Sequence, residues 1–181
     1  MAPSPDPVWR LGPGLDDFAA LVPDDENDFD RLEPLDGSPM AAAWEPLAVH
    51  WSTAGGLPVP DYTSLEAPVF TQRALDALGD LVGGAAEALA LDVAGGPPAR
   101  LLNVTRLSDA LDEDASEIKR FTDGRFMRAV TPVFDPARLE GHTIFKLRQS
   151  PRGEVFVTGA VAERLREAGL EGVDLRPAWP A

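Results

Sequence analysis

The sequence predicts an α+β fold with a mixed, largely antiparallel sheet, two principal helices and an irregular, proline-rich N-terminal arm. Three observations lead to this prediction. A short apolar run, a threonine and an amphipathic stretch follow one another twice, around Thr71 and around Thr158. Asp123-Gly124 joins two strand-like runs, which is a strong hairpin signal. Ten of the 18 prolines lie within the first 60 residues, and each removes a backbone hydrogen-bond donor.

The N-terminal segment, residues 1–60, is predicted to form an acidic arm packed on a core domain of residues 61–181. Its prolines disfavour long regular elements. Three of the four tryptophans lie in this segment, and side chains of that size need a surface to bury against. Ser38 before Pro39 is typical of a helix start, so a short helix is predicted over residues 39–45.

The first half of the core is predicted to contain a strand, a helix and a second strand. The first strand covers residues 68–70, and the helix over 72–82 starts at Thr71 as its N-cap. Leucines recur there at a helical spacing and share one face, and Gly83-Gly84 is expected to end the helix. Residues 85–93 alternate weakly between apolar and polar and are predicted to form a strand that leads into a glycine–proline turn.

The second half begins with a strand at residues 101–104 and continues into an acid-rich elbow. Ser108 is expected to cap a brief helical turn over 109–111. Residues 117–121 and 125–134 are predicted to form the two strands of the hairpin.

A later strand over residues 142–148 alternates in character. It places Ile144 on one side of the sheet and Phe145 and Leu147 on the other. The remaining predicted elements are a strand at 155–158, a helix capped by Thr158 and a last strand at 173–175.

The net charge of −14 indicates which classes of partner the protein can attract. Residues 1–60 hold 11 acidic and 2 basic side chains, and residues 61–181 hold 19 and 14. An acidic surface repels phosphate backbones and anionic lipids, so neither nucleic acid nor a membrane is expected as a partner. Such a surface attracts a basic protein, although a charge of this size also serves solubility alone.

The sequence favours the cytoplasm as its compartment. There is no cysteine, which excludes a disulfide framework and thiolate metal sites. The N-terminus has no basic start followed by an apolar core, so no secretory signal is expected. No apolar run approaches the roughly 20 residues that a membrane span requires.

No catalytic residue, metal or cofactor is assigned from the sequence. His50 and His142 lack partners at catalytic or metal-ligand spacing. The acidic cluster at 24–30 lacks the central glycine of a calcium loop, and no glycine-rich phosphate or dinucleotide motif occurs. An acid-dependent hydrolase stays open as an alternative because of three neighbouring carboxylates in the elbow, those of Asp109, Asp112 and Glu113.

Four stretches resemble a bacterial immunity-protein family: APVFTQRALDALGDLV (67–82), LLNVTRLSDALDEDASEI (101–118), GRFMRAVTPVFDPARLEGHTIFKL (124–147) and RGEVFVTGAVAERLREAGLEGVDLRPAW (152–179). Their order and spacing are also similar. The family, known as immunity family eleven, is found beside polymorphic and contact-dependent toxins. The resemblance implies a non-enzymatic, intracellular protein that binds and neutralises a cognate toxin.

Under this interpretation, two acid-rich segments form the hypothesised partner surface: the loop at 24–36 and the elbow at 109–117. Trp44 and Trp51 are candidate aromatic anchors, with burial in the core as the alternative for both. A general protein-interaction or scaffold module unconnected with toxins is the second hypothesis. The candidate partner-binding residues are Asp24, Asp25, Glu26, Asp28, Asp30, Trp44, Trp51, Asp109, Asp112 and Glu113.

Overall fold

The computed structural model describes residues 6–14 and 17–180. Sheet predominates over helix, and the α+β class is confirmed. The strands are β1 (Val8–Pro13), β2 (Ala20–Pro23), β3 (Leu47–Ser52), β4 (Tyr62–Ser64), β5 (Pro68–Thr71), β6 (Ala86–Ala94), β7 (Ala99–Val104), β8 (Leu107–Ser108), β9 (Glu117–Arg120), β10 (Phe126–Thr131), β11 (Ile144–Leu147), β12 (Ser150–Thr158) and β13 (Val173–Trp179). The α-helices are α1 (Gln72–Leu78), α2 (Pro136–Leu139) and α3 (Gly159–Glu167).

The strands form two main sheets and a hairpin. The five-stranded sheet has the order β13-β1-β12-β11-β8, and the six-stranded sheet has the order β2-β3-β6-β7-β5-β4. The hairpin consists of β9 and β10. Only β3 with β6 and β8 with β11 pair in parallel among the named strands, so the predicted mixed, largely antiparallel pairing is confirmed. The strands are divided between two main sheets, however, rather than forming the single sheet that was predicted.

The irregular N-terminal arm is not confirmed. Strand β1 lies between β12 and β13, and β3 lies between β2 and β6, so this segment supplies strands to both sheets. Pro13 and Pro23 fall at strand ends, where a missing backbone donor does little harm. The helix predicted over 39–45 is reduced to a 3₁₀ turn at Ala41–Ala43. Residues 1–5, 15 and 16 of the predicted arm lie outside the described residues.

The two principal helices follow strands as predicted, with differences at their ends. The hydroxyl of Thr71 caps α1 by accepting a hydrogen bond from Ala74 N at 3.4 Å. Helix α1 ends at Gly79 rather than at Gly83-Gly84, because Gly79 takes a positive φ of 54°. Thr158 occupies the N-cap position of α3, but its side chain makes no capping hydrogen bond.

The helical turn predicted over residues 109–111 is wrong. The chain stays extended there, because β8 pairs with β11 and Leu111 bridges to Phe134. The hydroxyl of Ser108 does accept a hydrogen bond, from Ala110 N at 3.2 Å, but no helix follows.

The hairpin and the sidedness of β11 are confirmed. Strands β9 and β10 pair antiparallel across Asp123-Gly124. Ile144 lies in a buried cluster that draws side chains from both sheets and from α1 and α3. Phe145 and Leu147 lie in a separate cluster that includes buried residues of the elbow.

The second of these clusters is aromatic and fixes the elbow and the hairpin to the five-stranded sheet. The Phe134 ring packs edge-on against Phe145, Phe156 and Trp179, with centroids 5.9, 5.7 and 6.0 Å away. Such pairs add to the free energy gained by burial. In the part of the chain that the structure describes, no helix has the length and apolar character to cross a membrane.

Candidate partner-binding surface

The acidic turn, residues 24–31, is a 3₁₀ helix at Glu26–Arg31 that Asp25 caps. The Asp25 carboxylate accepts hydrogen bonds from the backbone nitrogen of Asn27 at 2.9 Å and from its side-chain amide at 2.7 Å. Both hydrogen bonds lower the pKa of Asp25, and the one from the backbone nitrogen has the larger effect. Glu26 and Asp30 are exposed. The turn therefore presents several carboxylates to solvent.

Two other carboxylates of the turn have cationic or titratable neighbours. Asp28 pairs with Arg31 at 3.3 Å, one helical turn away. Asp24 lies 2.6 Å from Nδ1 of His50, which is on the adjacent strand β3. Pairs as exposed as these contribute little to folding stability. They hold the side chains in place and leave the segment negative overall.

The two candidate tryptophans have different environments. Trp44 is half-buried: its indole nitrogen donates to the carbonyl of Ala90 at 2.8 Å, and the Arg31 guanidinium lies 5.6 Å from the centre of its ring. Trp51, on β3, is only 7% exposed and belongs to a buried cluster formed largely by residues of the six-stranded sheet. A side chain at Gly96 would collide with it. Trp51 is therefore a core residue rather than a surface anchor. Trp44 is partly accessible and lies beside the acidic turn.

The loop that follows the acidic turn is fixed to the body by the buried side chain of Lys146. This lysine is 2% exposed, and its ammonium group donates to the carbonyl of Leu35 at 2.9 Å. Burial lowers the pKa of Lys146, and the nearby Asp36 carboxylate opposes that effect. A buried lysine normally needs a partner, and here the partner is the loop's own backbone.

A second attachment uses Glu87 on β6 and Asn103 on β7. The Glu87 carboxylate accepts from the backbone nitrogens of Met40 at 2.7 Å and Ala41 at 3.3 Å, and from the Asn103 amide at 3.0 Å. The Asn103 amide also donates to the carbonyl of Ser38 at 2.9 Å. Partial burial acts to raise the pKa of Glu87, but these hydrogen bonds outweigh it and the pKa is lowered. The loop thus has a defined conformation before any partner binds.

The acidic elbow, residues 109–117, is organised by its own carboxylates. Asp112 accepts from the backbone nitrogens of Asp114 and Ala115 at 3.1 and 3.0 Å. Glu113 accepts from Gln149 at 2.9 Å and from Arg120 at 2.8 Å. These two hydrogen bonds lower the pKa of Glu113.

The turn between β11 and β12 lies between the two acidic segments. Gln149 on this turn binds Glu113 of the elbow, and Arg152 on β12 lies 3.7 Å from Glu33, just after the acidic turn. An open cavity of about 270 Å³ beside Arg152 is also lined by Phe29 and Asp30. The structure therefore brings the elbow and the acidic loop, which are far apart in sequence, to the two sides of one β-turn.

The geometry of the elbow bears on the hydrolase alternative. Asp109, Asp112 and Glu113 line one open cavity of about 340 Å³, but His142 lines a different one. A general acid needs a raised pKa, whereas that of Glu113 is lowered. Within residues 6–14 and 17–180, no group of three or more metal-ligating side chains is placed to hold a metal ion.

Sequence reasoning missed the residues that fix the acidic loop to the body. These are Lys146, Glu87 and Asn103, and each lies between 46 and 111 positions along the sequence from the loop atoms that it binds. A polar side chain within a short apolar run is a signal for two of them, Lys146 in IFKL and Asn103 in LLNV. That signal indicates a buried polar group but does not identify the group that it binds.

The fold and this surface define a small α+β protein whose prominent surface chemistry is a pair of carboxylate-rich segments around one turn. The model of the immunity protein family Imm11 matches residues 85–179, which span β6 to β13. The chain belongs to the immunity protein family Imm11. No curated protein matches the chain. The matched part includes the elbow, and it leaves the acidic turn and both candidate tryptophans outside.

Membership confirms the resemblance drawn from the sequence, and an immunity family implies a role in toxin immunity with a toxin as partner.

Proposed function

We propose that this chain binds and neutralises a cognate bacterial toxin, encoded in a polymorphic toxin system, by non-catalytic protein–protein contact in the cytoplasm. The family match is the observation that carries the proposal, because it assigns the chain to a family of immunity proteins. The acidic turn and the elbow together are the surface we assign to that contact. Their carboxylates favour a basic toxin, and we assign no part to nucleic acid or to a membrane.

The attachments of the acidic loop support this assignment. Lys146, Glu87 and Asn103 hold the loop backbone through four hydrogen bonds to its main-chain atoms. A loop that is already ordered loses less conformational entropy on binding, so more of the contact energy appears as affinity. The exposed side chain of Phe29, 44% accessible and surrounded by carboxylates, is suited to act as an apolar anchor at the centre of the contact.

The first test is co-expression with the adjacent gene, followed by a pull-down and a rescue assay for toxicity. A neighbouring reading frame that encodes a large secreted protein with a variable C-terminal domain favours the toxin hypothesis over the scaffold hypothesis. Rescue of the cells from toxicity by this chain, together with its capture in the pull-down, supports the proposal. Toxicity that persists with every neighbouring toxin gene tested contradicts it.

The second test locates the contact. The double variant Glu26→Lys with Asp30→Lys reverses two exposed charges that neither cap the turn nor pair with a cation in the described part of the chain. Association with the toxin in low salt should slow by at least about fivefold, since charge steering is lost. The control, Glu163→Lys with Glu167→Lys on the exposed face of α3, makes the same change of net charge. Equal slowing in both variants would remove the acidic turn from the interface.

A further inference from the structure

The hairpin of β9 and β10 has a charge opposite to that of the rest of the protein. Residues 117–131 hold four basic and two acidic side chains, whereas the whole chain carries −14. The hairpin pairs with no other strand among the described residues, and its outward face is open to solvent. A basic surface on so acidic a chain has to be explained by something other than solubility.

Two cations face each other across this hairpin. Lys119 and Arg128 are directly opposite in the register, both are exposed, and neither forms an ion pair within the described residues. The other two cations of the hairpin, Arg120 and Arg125, each have a carboxylate partner, at 2.8 and 2.7 Å. Like charges directly opposite each other destabilise a strand pair. A two-stranded hairpin is only marginally stable by itself. The like-charged pair therefore lowers the stability of the hairpin and contributes nothing to the fold.

The same hairpin exposes apolar side chains. Phe121 is 45% exposed and Val130 is 37% exposed, and these are two of the three large hydrophobic residues that are exposed in the part of the chain described. The Arg125 guanidinium stacks on the Phe121 ring, 5.3 Å from its centre. An exposed aromatic ring among cations is typical of a contact surface, because it offers apolar area that a partner can desolvate.

The hairpin is held in a fixed orientation by its inner face. Ile118, Phe126 and Ala129 pack on the aromatic cluster of the five-stranded sheet. Arg10 of β1 donates to the carbonyls of Ala129 and Val130 at 2.7 and 3.0 Å. The outer cations are therefore presented by a rigid support, which is a condition for specific recognition.

We propose that the outer face of this hairpin binds an acidic, extended segment of a protein, with Lys119 and Arg128 binding its carboxylates and Phe121 contacting its apolar side chains. Same-face residues along an extended strand are about 6.5–7 Å apart, a spacing that two long cations opposite each other can reach. A nucleic acid fits less well, since its continuous phosphates would pass the carboxylates of Glu113 and Asp123 beside the hairpin. This surface is distinct from the acidic turn and does not rest on the toxin hypothesis.

The test measures binding of a fluorescein-labelled ten-residue peptide of alternating glutamate and threonine to the full chain by fluorescence anisotropy in low salt. The variant Lys119→Glu with Arg128→Glu should weaken binding at least about tenfold, and Lys119→Gln with Arg128→Gln should weaken it by a smaller factor. The matched control, Arg100→Glu with Arg106→Glu, changes the net charge equally at two exposed residues outside the hairpin and should change affinity by no more than about threefold.

A single variant separates this role from a merely structural one. Lys119→Glu replaces the like-charged pair with an opposite pair across the strands, so it should leave the melting temperature unchanged or raise it while it weakens peptide binding. Absence of peptide binding by the unaltered chain overturns the proposal, as does equal weakening in the control. Tighter binding of a single-stranded DNA of equal charge through the same two cations also overturns it, in favour of a phosphate ligand.

Discussion

Replacement of Asn103 tests the attachment of the acidic loop most directly. Asn103 is fully buried, and its amide donates both to the carbonyl of Ser38 and to the carboxylate of Glu87. Asn103→Ala removes one neutral and one charge-assisted hydrogen bond, which together contribute about 2–4 kcal/mol to the free energy of unfolding. Asn103→Asp removes the same two hydrogen bonds and adds a second carboxylate about 3.0 Å from that of Glu87.

The aspartate variant should show a dependence on pH that the alanine variant lacks. Burial and the neighbouring carboxylate raise the folded-state pKa of the new group above its unfolded value of about 3.9. Stability is then lost as the pH rises through the window between those two values. At pH 8 an uncompensated buried charge costs about 3–5 kcal/mol more than the loss of the amide alone. At pH 5 that additional cost should shrink as the two carboxylates share a proton.

Urea unfolding at pH 5 and pH 8, monitored by tryptophan fluorescence, measures both the loss of the hydrogen bonds and the pH-dependent cost of the new carboxylate. The double variant Glu87→Gln with Asn103→Asp is the control, because a glutamine amide can donate to the new carboxylate and should recover about 2 kcal/mol at pH 8. If Asn103→Asp and Asn103→Ala have equal free energies of unfolding at both pH values, the attachment described between Glu87 and Asn103 is refuted.

Three further predictions concern other parts of the fold. Gly172→Ala should destabilise by more than about 2 kcal/mol, because φ there is +82° and a Cβ would collide with the carbonyl of Tyr62, whereas Gly169→Ala, also at positive φ but with open space around it, should cost only about 1–2 kcal/mol in urea unfolding. In a carbon-detected NMR titration the pKa of Glu113 should lie below 4.5 and should rise in Gln149→Ala; an unchanged value excludes Gln149 as its main cause. Burial raises the pKa of Tyr62, so stability should fall as the pH rises above about 10, and Tyr62→Phe should abolish that part of the fall.

Local patterns predicted the elements of residues 61–181 well. The positions of β5, β6, β7 and the hairpin agree with the sequence, because short-range alternation and turn chemistry determine them. The sidedness of β11 also followed from alternation, with Ile144 on one face and Phe145 and Leu147 on the other. The sequence did not predict the short elements β4 and α2. Other predictions were wrong at the end of α1, which is at Gly79 rather than at Gly83, and at the elbow, where pairing with β11 keeps Ser108 extended.

The N-terminal segment shows what local patterns miss. Its prolines suggested irregular structure, yet VWRLGP and LAVHWS form strands inside the two sheets. Their partners lie up to about 150–170 positions away in sequence, at β12 and β13 for the first of them. No local rule reports such pairing, because its free energy comes from backbone hydrogen bonds and burial that exist only once the sheet has formed.

The sequence by itself determined the class of the fold, the acidic character of the chain and, through its resemblance, the immunity family to which it belongs. The tertiary structure alone decided which carboxylates lie near one another, that Trp51 is buried, and that Lys146 and Asn103 hold the acidic loop. The physical reason is distance along the chain: composition and periodicity act within a few residues, whereas a surface is made by side chains that folding brings together from remote strands.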